Sequence, residues 1–272
     1  AGKQVAVLGA GASAMDNAVA ALAADALEVS VFCRRSELQR VQPFKWLSFP
    51  GFLRHFSELD DEWRWKFMEH LLGLREAFPK ETWERVNEYS NFRLETGSPW
   101  QGLSIIDGKV CIETPKGKFL ADFLIFGTGF VIDISRRSEL RDYVDLIALW
   151  KDRYACPKDE SGSMLSNYPY LGNGFEFLEK NIGTASWLRN IHLFTFGTTM
   201  SFGPSGASIN AMKFAVPKLV NAITKDLFFD DIDTHYKSLK AYDLPEFAML
   251  GDSVKVAPNA AQVRRLEDDS FD

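Results

Sequence analysis

Gly9-Ala10-Gly11-Ala12-Ser13-Ala14 is the segment whose residue types and spacing point most directly to chemistry. It follows the apolar run Val5-Ala6-Val7-Leu8 and precedes an alanine-rich stretch. The pattern is G-x-G-x-x-A, and each small residue has a physical reason. Gly9 permits a tight turn, Gly11 lets backbone approach a diphosphate, and Ala14 lets the following helix pack close to the strand. The helix N-terminus then offers free N–H groups and positive dipole potential to the phosphates, with Ala12 and the Ser13 hydroxyl alongside. The expected ligand is a dinucleotide.

The end of the second strand selects which dinucleotide. An NAD site usually carries a carboxylate there, for the ribose 2′-hydroxyl. This strand ends Val31-Phe32-Cys33 and continues into Arg34-Arg35. Paired guanidiniums suit a 2′-phosphate, so NADPH is expected over NADH.

Two later segments have the same character. Phe123-Leu124-Ile125-Phe126 is an apolar run ending in Gly127-Thr128-Gly129-Phe130, where glycine permits close backbone approach. Gly203-Pro204-Ser205-Gly206 opens a helix expected from Ser208 to about Asp226, with Ser205 or Ser208 as an N-cap.

Strands are expected at Gln4–Leu8 and Glu28–Cys33, with a helix at Ser13–Ala24 between them. That order is a βαβ unit and implies a parallel sheet. Residues 36–90 read as a helical insertion broken by Pro43, Pro50 and Pro79. Within it Trp63, Phe67, Leu71, Leu74 and Phe78 form one apolar stripe at helical spacing. Phe44, Trp46, Phe49, Phe52 and Phe56 are expected mainly to pack a core, with ligand contact as the alternative. Leu103–Ile106, Lys109–Glu113 and Lys118–Leu120 read as strands, with Asp107-Gly108 as a hairpin turn. Ile191–Phe196 is another strand candidate.

Composition narrows the class. Apolar residues make up 46% and charged residues 25% of the 272, as in ordinary globular proteins. A net charge of −6 argues against bulk binding to nucleic acid. No apolar run reaches the roughly 18–20 residues that span a bilayer. Cys33, Cys111 and Cys156 lie far apart, without the paired spacing of a dithiol centre, and a reducing cytoplasm is the expected location. The four histidines lack metal-ligand spacing, so no metal is expected.

Taken together, Gly9 to Asp16 and Phe126-Gly127-Thr128-Gly129-Phe130 resemble the flavin-containing monooxygenase-like superfamily. Its members include flavin-containing, N-hydroxylating and Baeyer–Villiger monooxygenases, and bacterial FAD/NAD(P)-binding oxidoreductases are the most similar group. The resemblance extends through Pro43–Phe56, Tyr168–Phe177 and His192–Leu219. It implies an α/β fold in which a Rossmann-like three-layer NAD(P)-binding domain, residues 1–127, carries the helical insertion. Residues 128–272 would then form the C-terminal part of a split FAD-binding domain. The Gly9 motif corresponds to the NADPH motif, and Gly127-Thr128-Gly129 to an Ala-Thr-Gly crossing point with glycine in place of alanine. Because no second strand–glycine loop–helix unit occurs in these residues, the chain is expected to be a fragment lacking the N-terminal FAD segment, with little activity alone, the alternative being a divergent protein that never had that segment.

The resemblance implies that NADPH, bound at Gly9–Ala14 with Arg34 and Arg35 on its 2′-phosphate, passes hydride to FAD. Reduced FAD would then react with oxygen and oxygenate a small-molecule substrate. Thr128, Gly129, Gly206, Ala207 and Ser208 are implied on the flavin side, the last three at a helix N-terminus near the flavin ring. The alternatives are a flavin-linked reductase without oxygen insertion, or a non-enzymatic dinucleotide-binding module. No side chain is assigned as a catalytic acid or base, Asp16 being read as a cap or interdomain contact. Apolar surface left by a missing segment leaves a homodimer open.

Overall fold

The computed structural model describes residues 1–74, 76–155, 162–206 and 208–247. Contacts divide it into two compact units, Ala1–Thr224 and Lys225–Asp272.

A parallel sheet organises the first unit, in the order β3-β2-β1-β7. Its strands are β1 (Gln4–Leu8), β2 (Glu28–Phe32), β3 (Phe92–Glu95) and β7 (Phe123–Phe126). Alternation along the strands gives the sheet two apolar faces. Val5, Val7, Val29 and Val31 face a core shared with Ala14, Met15, Ala18 and Leu22 of α1 (Ala12–Ala23). Ala6, Phe32, Leu8 and Leu124 face the opposite way. There they meet Ile112 and Ala121 of a second, antiparallel sheet. That sheet consists of β4 (Gly102–Ile106), β5 (Lys109–Thr114) and β6 (Gly117–Ala121). Asp107 and Gly108 join β4 to β5 with φ of 51° and 77°, the left-handed pair of a two-residue hairpin turn. The domain therefore has three layers, with helix on one face of the parallel sheet and strands on the other.

The insertion is helical, as expected. It holds α2 (Pro43–Trp46), α3 (Pro50–His55), α4 (Asp61–Leu74) and α5 (Lys80–Asn87). Only α5 joins the Rossmann core, where Val86 is buried against α1. The rest shares a core with later residues. Phe52, Phe56, Trp65 and Met68 pack with Trp150, Leu165, Tyr168 and Met200. These later residues belong to or flank the short helices α6 (Trp150–Arg153), α7 (Gly162–Leu165) and α8 (Thr199–Phe202). The buried face of α4 is Arg64, Trp65, Met68 and Leu71. Trp63, expected on the buried stripe, is 51% exposed. The face is rotated by about one residue because Arg64 forms a hydrogen-bonded cluster beneath the helix.

Arg64 stacks over Trp150 at 5.1 Å, pairs with Asp61 and donates to the Tyr170 hydroxyl at 3.1 Å. The Tyr170 hydroxyl in turn donates to Asp61 at 3.0 Å. Ile191–Phe196 is not a strand. A lone bridge between Glu176 and His192 is its ladder contact, and the chain enters a 3-10 turn at Phe196. Its apolar residues instead fill a core around Phe175 and Phe202.

The long helix α9 (Ile209–Asp230) follows. In the second unit, α10 (Ile232–Ala241) has no buried residue, and Phe228 stacks on His235 at 5.1 Å. Among the described residues no helix is long and apolar enough to cross a membrane.

Candidate functional site

The parallel sheet reverses chain order between β1 and β7, since β2 and β3 lie on one side of β1 and β7 on the other. In open α/β sheets ligands bind outside the carboxyl ends of the strands at this switch point. Gly9 and Gly127 stand there, directly after Leu8 and Phe126, which are paired in register. Gly9 has φ of +116°, and a Cβ on it would lie 2.1 Å from the Gly127 carbonyl oxygen. A Cβ on Gly127 would lie 2.5 Å from the Ala14 Cβ. Thus Gly9, Gly127 and Ala14 interlock, and α1 begins flush against both strand ends.

Gly11 caps α1 in extended conformation with no side-chain hydrogen bond, and a Cβ there would meet nothing within 4 Å. The first turn of α1 holds no acidic residue, so its dipole potential is unopposed there. Gly11 and Ser13 are exposed, Ala12 is half-buried and Ala14 is buried. Asp16 does not cap α1. It accepts hydrogen bonds from Thr82 at 3.0 Å and Arg85 at 3.3 Å, tying α1 to α5 and engaging its charge away from the loop.

Arg34 and Arg35 are both exposed after β2. Backbone bonds fix their turn: Gly97 N–H donates to the Arg35 carbonyl at 2.6 Å, and Ser98 N–H to that of Cys33 at 2.8 Å. The two side chains differ. Arg35 donates to the Leu74 carbonyl at the end of α4 at 3.3 Å, beside Gln39 at 3.1 Å. Among the described residues Arg34 has no side-chain partner. Cys33 is buried, and burial pushes its thiol above the ordinary range.

A cleft of about 760 Å³ runs from Arg34 and Arg35 past Gly129 and Phe130. The Gly9–Ala14 loop does not line it. The uncapped start of α1, rather than the cleft, offers helix-terminal amides to a diphosphate. Arg34, Arg35, Lys151 and Lys180 stand in the cleft lining against Glu69, Glu76, Asp133 and Asp145, so charge there is balanced. Between them the walls are apolar.

Thr128 and Gly129 are exposed just beyond β7. Phe130 meets Phe196 edge-on at 4.8 Å. Nearby, Gly206 is wedged so closely that a Cβ would lie 2.4 Å from the Thr195 carbonyl oxygen. The second and third motifs are thereby linked through Phe130 and residues 195–198. Ser205 does not cap α9, since its buried hydroxyl donates to the Phe202 carbonyl at 2.6 Å. Ser208 is half-buried, one residue before α9, and Ala207 lies outside the described residues. Of the aromatic residues in the insertion, Phe52 and Phe56 are core, Phe44 lines the cleft, and Trp46 and Phe49 are exposed. Among the described residues no group of side chains could hold a metal.

No protein-family model matches the chain. Over 247 residues it is 34% identical to the FAD-dependent urate hydroxylase of Xanthomonas campestris pv. campestris, covering 91% of this chain and 52% of that protein. Among solved structures it is similar to the ornithine N-hydroxylase of Kutzneria sp. 744, with reduced FAD, NADP+ and L-ornithine (TM-score 0.55, 15% identity). That match covers 82% of this chain and 54% of the other. A second is the FAD-bound cadaverine monooxygenase of Erwinia amylovora (TM-score 0.55, 12% identity, 94% of this chain and 56% of the other). The chain spans about half the length of the relatives it matches.

Proposed function

From the kinship of this chain to the flavin-containing monooxygenase-like FAD/NAD(P)-binding oxidoreductases, we propose that it is the NADPH-binding portion of an FAD-dependent hydroxylase. The observation that carries this reading is the uncapped start of α1, set against the switch point by the interlocked Gly9, Gly127 and Ala14.

In this reading the amides of Gly11, Ala12 and Ser13 hold the pyrophosphate. Open space at Gly11 admits it, and the Ser13 hydroxyl adds a contact. Arg34 and Arg35 hold the 2′-phosphate. Residues 1–127 form the NADPH domain, and 128–272 the C-terminal part of the FAD domain. The donor set on the flavin side fits in kind. Thr128 and Gly129 are exposed at the switch point, and α9 starts without an acidic residue in its first turn. Its dipole would favour negative charge on a ring edge beside Gly206, Ala207 and Ser208. Bound cofactors supply hydride transfer and, in a hydroxylase, oxygen activation. The residues here orient and bind.

Calorimetric titration of NADP+ and NAD+ against the protein tests the binding step. NADP+ should bind, and NAD+ should bind at least tenfold more weakly, since charge-assisted contacts to a phosphate contribute roughly 1.5–3 kcal/mol. No uptake of NADP+ by a protein of the relatives' full length would refute the assignment. For the activity, urate is the first compound to test, as it is the substrate named by the relative. NADPH oxidation that yields only free peroxide or a reduced acceptor would place the protein among reductases.

A further inference from the structure

The stretch from Arg40 to Phe56 carries Arg40, Lys45 and Arg54 and no Asp or Glu, in a protein whose net charge is −6. Pro43 and Pro50 each open a short helix there, α2 and α3. The inner side is fixed, because Leu47, Phe52, Leu53 and Phe56 belong to the core. The outer side is apolar as well. Val41 and Trp46 are each 63% exposed, and Phe49 is 45% exposed. Trp46 meets Phe49 edge-on at 5.6 Å and stacks on Phe67 of α4 at 6.3 Å, and Phe67 meets Trp63 at 6.1 Å. The rings thus form one continuous patch from the α2–α3 turn onto α4. Arg40, Lys45 and Arg54 are exposed within the same stretch. The acids that follow are engaged. Glu58 pairs with His55 at 2.9 Å, and Glu62 pairs with Lys66, whose amine lies 4.9 Å from the Trp63 ring. Asp60 accepts from the Trp63 N–H at 2.9 Å. The face is aromatic and locally positive on a negative protein.

We propose that this face docks on the surface of an anionic phospholipid bilayer, with Trp46, Phe49 and Val41 at headgroup depth and Arg40, Lys45 and Arg54 against the lipid phosphates. Contiguous exposed apolar surface marks an interaction site. Indole rings flanked by cations suit the membrane–water interface, where an apolar body and a polar tip are both satisfied. Charge complementarity sets the sign of the partner, since each cation near an anionic leaflet adds attraction. The packing of the rings favours lipid over single-stranded nucleic acid. Bases stack on free ring faces, whereas Trp46 already lies stacked on Phe67 and edge-on to Phe49. The buried inner side holds the patch in place, so little ordering entropy opposes docking.

Sedimentation with vesicles of phosphatidylcholine, alone or mixed with phosphatidylglycerol, tests this. The protein should prefer the mixed vesicles and be released as salt screens the attraction. Lys45→Gln should weaken binding to the mixed vesicles roughly fivefold. Trp46→Ala and Phe49→Ala should each weaken it roughly fivefold, since about half of each ring is left to bury. Ile182→Ala, at an exposed apolar residue outside the patch, should bind as the wild type does. All four substitutions are at exposed positions, and thermal unfolding should show each variant folded. No preference for the mixed vesicles, or binding unchanged in both Trp46→Ala and Phe49→Ala, overturns the proposal. Binding of a single-stranded oligonucleotide in place of vesicles also overturns it. So does loss of vesicle binding in a protein of the relatives' full length, because the rest of the polypeptide would then cover this face.

Discussion

The Cα of Gly127 lies against Ala14 so closely that one added methyl would stand 2.5 Å from the Ala14 Cβ, although 112 residues separate the two in the chain. Gly127→Ala should therefore cost stability by overpacking, about 1–3 kcal/mol. Removing the opposing methyl in Ala14→Gly/Gly127→Ala should recover part of the loss, despite the helix penalty of about 0.5–1 kcal/mol for glycine. Denaturant unfolding of the two variants checks this. A double variant no more stable than Gly127→Ala would count against the interlock.

Gly9→Ala should be worse, because the clash is with backbone and φ is +116°. A loss on the order of 3 kcal/mol is expected. NADP+ binding should fall with it, since α1 can no longer begin flush with the strand.

Arg34 and Arg35 should separate on mutation. Arg34 has no side-chain partner among the described residues, whereas Arg35 is bonded to the Leu74 carbonyl. Arg34→Ala should lower NADP+ affinity roughly tenfold, leave NAD+ affinity unchanged and barely move the melting temperature. Arg35→Ala should also loosen the end of α4, seen as faster amide exchange around residues 71–74. Equal loss of NADP+ and NAD+ binding in Arg34→Ala would argue against a role at the 2′-phosphate.

The Asp61–Arg64–Tyr170 cluster joins the insertion to the later part of the chain. Arg64→Ala should leave Asp61 with the Tyr170 hydroxyl alone and take the guanidinium off Trp150, at a cost of about 1–3 kcal/mol. Tyr170→Phe should cost about 0.5–1.5 kcal/mol, since Arg64 and Asp61 keep each other. Thermal or urea unfolding ranks the pair, and the opposite ranking would remove the cluster as the joint.

Lys218 of α9 predicts a pH dependence. Burial lowers its amine below the ordinary 10.5, only partly offset by Glu58, while its Nζ donates to Ser57 Oγ at 2.5 Å. Between the lowered folded value and 10.5 the unfolded chain binds the proton that the folded chain releases. Stability should therefore rise with pH through that window and level off above 10.5. Lys218→Met should flatten this slope in unfolding measured from pH 7 to 10.5. An identical slope in the variant would show that another group titrates.

Much of the site was legible from residue order alone. The strand, glycine loop and helix from Gln4 to Ala23, the arginine pair after β2, the helical insertion and the Asp107-Gly108 hairpin are all set by local steric and periodic rules acting over a few residues. Other features depended on partners distant in the chain. Trp65 rather than Trp63 is buried because Trp150 and Tyr154 pack against it. Ile191–Phe196 has strand composition, but its apolar side chains fill the core around Phe175 and Phe202, and a lone bridge is its ladder contact. The close approach to Ala14 that requires glycine at 127, and the different bonding of Arg34 and Arg35, likewise came only from the tertiary structure. Dihedral preference and hydrophobic period act locally, whereas close packing and hydrogen-bond satisfaction are decided by whichever atoms the fold brings within a few ångströms.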